Sequence, residues 1–308
     1  MQIACPSCGA FVGVEKVFCV KCGGRVVPLT SYDLEVSDFI YPPDRDAMEN
    51  LRGFEALSPI VDELMIKRHV HQILSRLRRC SRRIDYSSEL GSIIRECGII
   101  LGLPGLPEAY LLRSSAPTAF TFGSRDKQFL VISSGLLEIL DSGEVKAVLG
   151  HELGHVKCHH IKYHTLAEML VRGAEFSLEL AGGLLNMLSP ILRLMLLSWH
   201  RESEISADRA ALIVSGDPAK PISLLRKLAR ILPALDEPAL EPVSTHPTHE
   251  ERINRILEFY RSPEYRAVRG KVEWRLAISK AISPICRFCR GSKPVSSLFC
   301  PRCGRSQV

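Results

Sequence analysis

Apolar residues recur at mostly helical spacing across 46–102, for example at Ile60, Leu64, Ile66 and Val70. The pattern then changes. "EAYLLRSS" (108–115), "TAFTFGS" (118–124) and "KQFLVISSG" (127–135) carry the β-branched and aromatic residues of short strands with turns between them. "LLEILDSGEVKAVLGHELGHVKCHH" (136–160) predicts a short helix, a break at Asp141-Ser142-Gly143, and one long helix to the end of the stretch. Next comes an apolar run over 166–199, uncharged between Glu179 and Arg193 and interrupted by Pro190. It is too short for a membrane span, and the proline divides it into two apolar helices that pack on the core or touch a bilayer or partner. The architecture these patterns predict is α+β: mainly helices, with a small sheet set among them.

Composition changes this picture little. The chain has 308 residues, 46% hydrophobic and 24% charged, as in an ordinary globular protein, with net charge +6. The basic stretch 67–83 reads as a solvated helix face in preference to a nucleic-acid or lipid surface. "MQIACPSCGA" has neither the basic nor the apolar part of a secretory signal, so the expected location is cytoplasmic, with membrane association through 166–199. "YPPDRDA" (41–47) and "RSPEY" (261–265) read as borders of a central domain, 45–265.

The cysteines lie mostly outside that domain. Cys5-Pro-Ser-Cys8 and Cys19-Val-Lys-Cys22 are separated by ten residues, as are Cys286-Arg-Phe-Cys289 and Cys300-Pro-Arg-Cys303. Phe18 and Phe299 precede the second knuckles, and Gly23 and Gly304 follow them. Two C-x-x-C knuckles on a short hairpin supply four thiolates to one Zn²⁺. These segments resemble zinc ribbons, at 1–30 and 284–308, in which the ion supplies the folding energy. Ribbons bind proteins, nucleic acids or only their own domain. The basic residues of the second, Arg287, Arg290, Lys293, Arg302 and Arg305, mildly favour an anionic partner but read first as solvated surface.

Four of the ten histidines fall within "VLGHELGHVKCHH" (148–160). His151 and His155, four apart, share a helical face and can point at one ion, with Glu152 beside them, in the H-E-x-x-H arrangement of zinc peptidases. His159 falls on the same face a turn later, and it and His160 read as structural. A third ligand must come from elsewhere, leaving an open position for water. "WHRESEISADRAAL" (199–212) offers Glu204, with Asp208 four residues on to accept a hydrogen bond from a metal-bound imidazole. Glu202 is the nearest rival but lies off that face.

"HELGHV", "ESEISAD" and "STHPTHEERI" (244–253), in that order, resemble the gluzincin peptidases that include HtpX-type quality-control proteases and the CAAX-prenyl proteases. The resemblance spans about 45–260. It implies zinc ligands His151, His155 and Glu204, Glu152 as general base, and His246 and Arg252 near the scissile carbonyl, stabilising the oxyanion. Two departures stand out: Thr118 occupies a position where the family usually has Asn, and the usual pair of membrane spans is missing. An exposed strand edge at Ala119, Phe120, Thr121 and Phe122 would pair with the substrate backbone. The resulting expectation is a zinc endopeptidase acting on proteins or peptides, with one catalytic and two structural Zn²⁺. A second reading is an adaptor whose ribbons recognise a protein or nucleic acid while the peptidase core serves as scaffold.

Overall fold

The structure is a computed structural model that describes residues 2–5, 7–13, 19–24, 34–52, 66–124, 127–171, 190–231, 247–281, 285–286, 288–293 and 300–305. Strands β1 (Gln2–Ala4) and β2 (Phe11–Gly13) form an antiparallel hairpin that carries the first Cys knuckle. Helix α1 (Pro42–Arg52) opens on a proline, which tolerates the first helical turn because that amide has no intrahelical acceptor. Helix α2 (Lys67–Cys80) runs into β3 (Ser81–Arg83), and α3 (Glu89–Ile100) starts where the Ser88 side chain accepts a hydrogen bond from the Gly91 amide. Strands β4 (Glu108–Leu112), β5 (Ala119–Gly123) and β6 (Gln128–Ser133) follow. Then come α4 (Ser134–Ile139), α5 (Ser142–Lys157), α6 (Ile161–Val171), α7 (Pro190–Ser215), α8 (Ala219–Ile231), α9 (His249–Arg261) and α10 (Pro263–Ala281).

The three strands read from the sequence are present, in a sheet ordered β3-β4-β6-β5. The β4–β6 pair is parallel, with Glu108 opposite Phe129, and the other pairs are antiparallel, with Ala119 opposite Ile132 at the β5 edge. The fourth strand, β3, lies inside the basic stretch read as helix. Its Arg82 and Arg83 are exposed at the sheet's outer edge, where charged side chains discourage further pairing and hide the strand from hydrophobic patterning.

Helix α5 begins with a capping box: the Asp141 carboxylate accepts from the Glu144 amide and Glu144 accepts from the Asp141 amide, at 2.9 and 2.8 Å. The helix packs lengthwise on α7. A Cβ added at Gly150 would stand 2.9 Å from Val214 Cβ, and one added at Gly154 would stand 2.6 Å from Ala210 Cβ. Only hydrogen fits at these positions, so the glycines of "LGHELGHV" form a seam against Ala207, Ala210 and Ala211. They are also four apart and offset by one residue from His151 and His155. The seam that brings the two helices together therefore turns the histidine row toward α7.

The long helix stops at Lys157, earlier than the pattern predicts. Cys158 closes it and His159 takes a left-handed conformation, φ 63°, so His159 leaves the face of His155. This reversal returns the chain into α6. Pro190 begins α7, which runs without interruption from the apolar "LRLMLLSW" into "ESEISAD". Leu166, Ala167, Leu196 and Trp199 are buried with Met48, Leu51 and Ile66, so the described ends of the 166–199 run belong to packing between α1, α6 and α7. The middle of that run, 172–189, lies outside the described residues. No helix among the described residues is long and apolar enough to cross a membrane.

The main core crosses both borders read from the sequence. Leu34 and Phe39 before α1, and Tyr265, Val268 and Val272 on α10, are buried with the α5 residues Leu149 and Leu153. "RSPEY" is the corner between two packed helices, with Ser262 as the C-cap of α9. The N-terminal ribbon also docks on this core: the Leu106 amide donates to Gly23 O at 2.9 Å, and Gly24 bridges Gly105. Gly23 has φ 74° and the Leu106 carbonyl 2.8 Å from its hypothetical Cβ, so this contact requires glycine. Gly154→Ala is expected to force α5 and α7 apart, lowering stability by about 1–3 kcal/mol in a denaturant melt; a wild-type midpoint would contradict the seam.

Candidate active site

His151, His155 and Glu204 converge between α5 and α7. The two imidazole Nε2 atoms are 3.2 Å apart, with Glu204 Oε2 3.6 Å from His151 Nε2 and Oε1 3.4 Å from His155 Nε2. Donors around one tetrahedral Zn²⁺, each about 2.0–2.2 Å from it, stand roughly 3.3–3.6 Å apart. The set has the spacing and the chemistry of a His₂Glu zinc site. Glu202, the rival, is half-buried elsewhere on the helix, and burial together with the nearby Glu251 charge raises its pKa. Glu152, buried next to His151, lines the same cavity and accepts a hydrogen bond from Thr121 Oγ1 at 3.0 Å.

The ring nitrogens that face away from the donor set are also engaged. His151 Nδ1 is 3.0 Å from Asp208 Oδ1. Arg252, on α9, forks onto Asp208 with Nε to Oδ2 and Nη2 to Oδ1, both 2.7 Å, and places Nη1 3.2 Å from Glu204 Oε2. Thr248 caps α9, accepting from the Glu251 amide at 3.2 Å, which starts the helix at the position that aims Arg252 inward. The resemblance places Arg252 at an oxyanion; in the structure its guanidinium pairs with Asp208, behind His151, and with Glu204 of the donor set. His246 lies outside the described residues.

Electrostatics follow from this crowding. Burial pushes the Asp208 carboxyl up, but Arg252 and His151 outweigh it and the net shift is down. Burial lowers the His155 ring to about 3, reinforced by the neighbouring His151 and His160 and opposed by Glu204. Burial also lowers His151, but the Asp208 hydrogen bond and the Glu204 and Asp208 charges overcome it and raise that ring. Burial drives His164 well below the ordinary histidine range.

Sequence patterning missed several groups here. His164 and His200 stack 4.2 Å apart and line the cavity, with His164 Nε2 2.8 Å from Ser203 Oγ. Asp44 of α1 is also among them, fully buried against His160, the histidine read as structural, which is itself fully buried against His155. Asp44 sits in the segment read as a domain border; an isolated acid four residues into a Pro-rich turn carries no signal of its own. The cavity, about 260 Å³, is bounded by Ala119, Phe120, Thr121 and Phe122 of edge strand β5 and, beyond the histidines, by apolar residues including Leu224 and Leu228 of α8.

The eight terminal cysteines form two separate groups. Sγ–Sγ separations are 3.6 Å for Cys5–Cys22, and 3.7 Å for Cys8–Cys19, Cys286–Cys303 and Cys289–Cys300. Four thiolates about 2.3 Å from a tetrahedral ion stand roughly 3.8 Å apart, whereas a disulfide brings its sulfurs to about 2 Å. All eight are free thiols, in the arrangement of zinc ribbons. Gly23 and Gly304, φ 74° and 70°, make the turns after the second knuckles.

Two expectations follow from the buried charges. Arg252→Gln leaves Asp208 and Glu204 without their counter-charge, and unfolding of the zinc-free protein is expected to become easier by about 3–5 kcal/mol, measured by denaturant titration; an unchanged midpoint would contradict the pairing. The pH response has a defined sign. His155 and His164 have folded pKa values below their unfolded ones, so each contributes stability above about pH 6.5 that is lost as pH falls and only the unfolded ring takes a proton. His151, raised, is protonated in both states below about pH 6.5, so its opposite effect lies above that pH. The zinc-free protein is therefore expected to lose stability from about pH 6.5 downward, at about 1.4 kcal/mol per pH unit for each of the two lowered rings; thermal melts that are flat between pH 6.5 and 5 would contradict this.

Comparison with known proteins identifies the family. The profile of Peptidase family M48 matches residues 86–259, from the turn before α3 to the last turns of α9. A plastoglobule-localized chloroplastic metallopeptidase 48 of Arabidopsis thaliana is 30% identical over 287 residues, covering 83% of this chain and 81% of that one. An HtpX protease homologue of Paraburkholderia phytofirmans is 29% identical over 213 residues, covering 56% of this chain and 74% of its own. The solved structure of S. mikatae Ste24p aligns with a TM-score of 0.40 at 19% identity, over 71% of this chain and 67% of that one. A histidine-glutamate donor set between two helices, inside a match that spans both helices, places this chain in peptidase family M48 as a metalloprotease.

Proposed function

We propose that the chain is a zinc-dependent endopeptidase whose catalytic ion is held by His151, His155 and Glu204. The observation that carries this is the convergence of the three donors at 3.2–3.6 Å, with Glu152 on the same helix and in the same cavity. Two further ions belong to the ribbons, through Cys5, Cys8, Cys19 and Cys22 and through Cys286, Cys289, Cys300 and Cys303.

A zinc ion in this position supplies Lewis acidity toward a water molecule and the scissile carbonyl. Glu152 is the base that takes the water's proton and later returns it to the leaving amine. The Thr121 hydroxyl, donating to Glu152 Oε2, fixes one oxygen and orients the other toward the reaction. Asp208 holds the His151 ring with Nε2 inward. Arg252 holds Asp208 and Glu204, so its contribution is to position the donor set; the oxyanion role implied by the family resemblance would then rest with His246. An extended peptide can add to the edge of β5 along Ala119–Phe122, and a strand laid along an edge favours cleavage within a chain. The apolar side of the cavity suits a hydrophobic side chain next to the scissile bond. Work beside a lipid surface is the setting suggested by the plastoglobule-localized relative.

Glu152→Gln preserves side-chain size and the donor set but cannot take a proton. The variant is expected to keep its zinc and lose about 10²–10⁴ in turnover of an unfolded protein substrate, followed by mass spectrometry of the fragments. Wild-type turnover by the zinc-loaded variant would sink the endopeptidase reading and leave the adaptor reading.

A further inference from the structure

The two metal-site histidines are supported differently. His151 gives its Nδ1 directly to the Asp208 carboxylate at 3.0 Å, whereas His155 Nδ1 faces another imidazole, His160 Nδ1, at 3.1 Å. The far nitrogen of that ring, His160 Nε2, is 3.1 Å from Asp44 Oδ2, off the ideal line of its N–H. Asp44 is held in turn: Oδ1 accepts from Trp199 Nε1 at 2.8 Å and Oδ2 accepts a short bond from Ser206 Oγ, itself bonded by the Tyr41 amide at 2.9 Å. Asp44 and His160 are both at 0% exposure. Burial works against the Asp44 anion, yet His160, Ser206 and Trp199 overcome it and keep the carboxyl below its usual pKa.

We infer that Asp44 is a positioning residue for metal binding, acting on His155 through His160. The proton positions follow from the geometry. If His155 meets the ion through Nε2, its own proton must sit on Nδ1, which donates to an unprotonated His160 Nδ1. His160 then carries its proton on Nε2, facing the Asp44 carboxylate. Two groups in series, His160 and Asp44, thus fix one tautomer of His155, as a single carboxylate does for His151. The left-handed turn at His159 makes this possible: His160 N donates to His155 O at 2.9 Å, which folds the His160 ring back under the ligand. Asp44 lies outside the family-matched segment 86–259, so this support is contributed by the α1 extension of this chain.

The inference rests on the metal reading, and its test is chosen to separate the two. Zinc retention by the full chain is measured by native mass spectrometry against graded chelator, with Glu204→Ala as the reference that holds the ribbon ions alone. Asp44→Asn is expected to weaken the catalytic ion by about 10–100-fold while both ribbon ions stay. His160→Gln, whose amide accepts from His155 and donates to Asp44, is expected to retain zinc near the wild-type level; His160→Phe, which does neither, is expected to behave as Asp44→Asn does. A role in packing alone would not produce this order. In the wild-type zinc protein, long-range ¹H–¹⁵N NMR should find the His160 proton on Nε2, a measurement that needs no variant to fold. A proton on His160 Nδ1, or Asp44→Asn holding zinc as tightly as wild type, overturns the inference. Wild-type protein that takes up ribbon zinc only would overturn the metal reading itself, and this inference with it.

Discussion

The contact between α5 and α7 at Gly150 and Gly154 sets the rest of the site. A methyl group at either glycine would meet the opposing helix at 2.6–2.9 Å, so the two axes approach as closely as backbones allow. Since the glycines and histidines share a four-residue spacing one position apart, that approach also decides where His151 and His155 point. The opposing helix repeats the device: its alanines form the seam, and Glu204 and Asp208, four apart, form the polar row. Two periodicities laid side by side convert a packing constraint into a ligand set.

The site brings several buried carboxylates near two histidines, and their compensation comes from beyond the donor set. Arg252 pairs with Asp208, whose carboxyl it helps hold below its usual pKa, and also reaches Glu204. Glu152 lies beside the donor set on α5, where it accepts a hydrogen bond from the Thr121 hydroxyl and its charge is felt by Arg252.

Much of this was legible in the chain. Strand patterning found β4, β5 and β6, and the Asp141 break found the start of α5, because both rest on local signals that tertiary contacts reinforced. The convergence of His151, His155 and Glu204 was legible because a metal-ligand set would impose a spacing on residue types that are otherwise rare in an apolar helix. Strand β3 was not, since its exposed arginines mimic the basic helix before it. His164, His200 and Asp44 were not, since their meaning depends on a helix end at Lys157 and on which helices meet; His160 was legible as a structural residue, without its partners. The end itself is hard to read: it falls at Cys158, with no glycine or proline, and His159 takes a conformation usually given to glycine. Arg252 was identified as a site residue but its partners, set by the angle of α9, could not be.

If the α5–α7 contact builds a His₂Glu metal site, anomalous diffraction at the zinc edge from crystals of the zinc-loaded protein will show a peak between the two helices, about 2.0–2.2 Å from His151 Nε2, His155 Nε2 and a carboxylate oxygen of Glu204. A peak that omits Glu204, or crystals whose only zinc lies among the terminal cysteines, would contradict it.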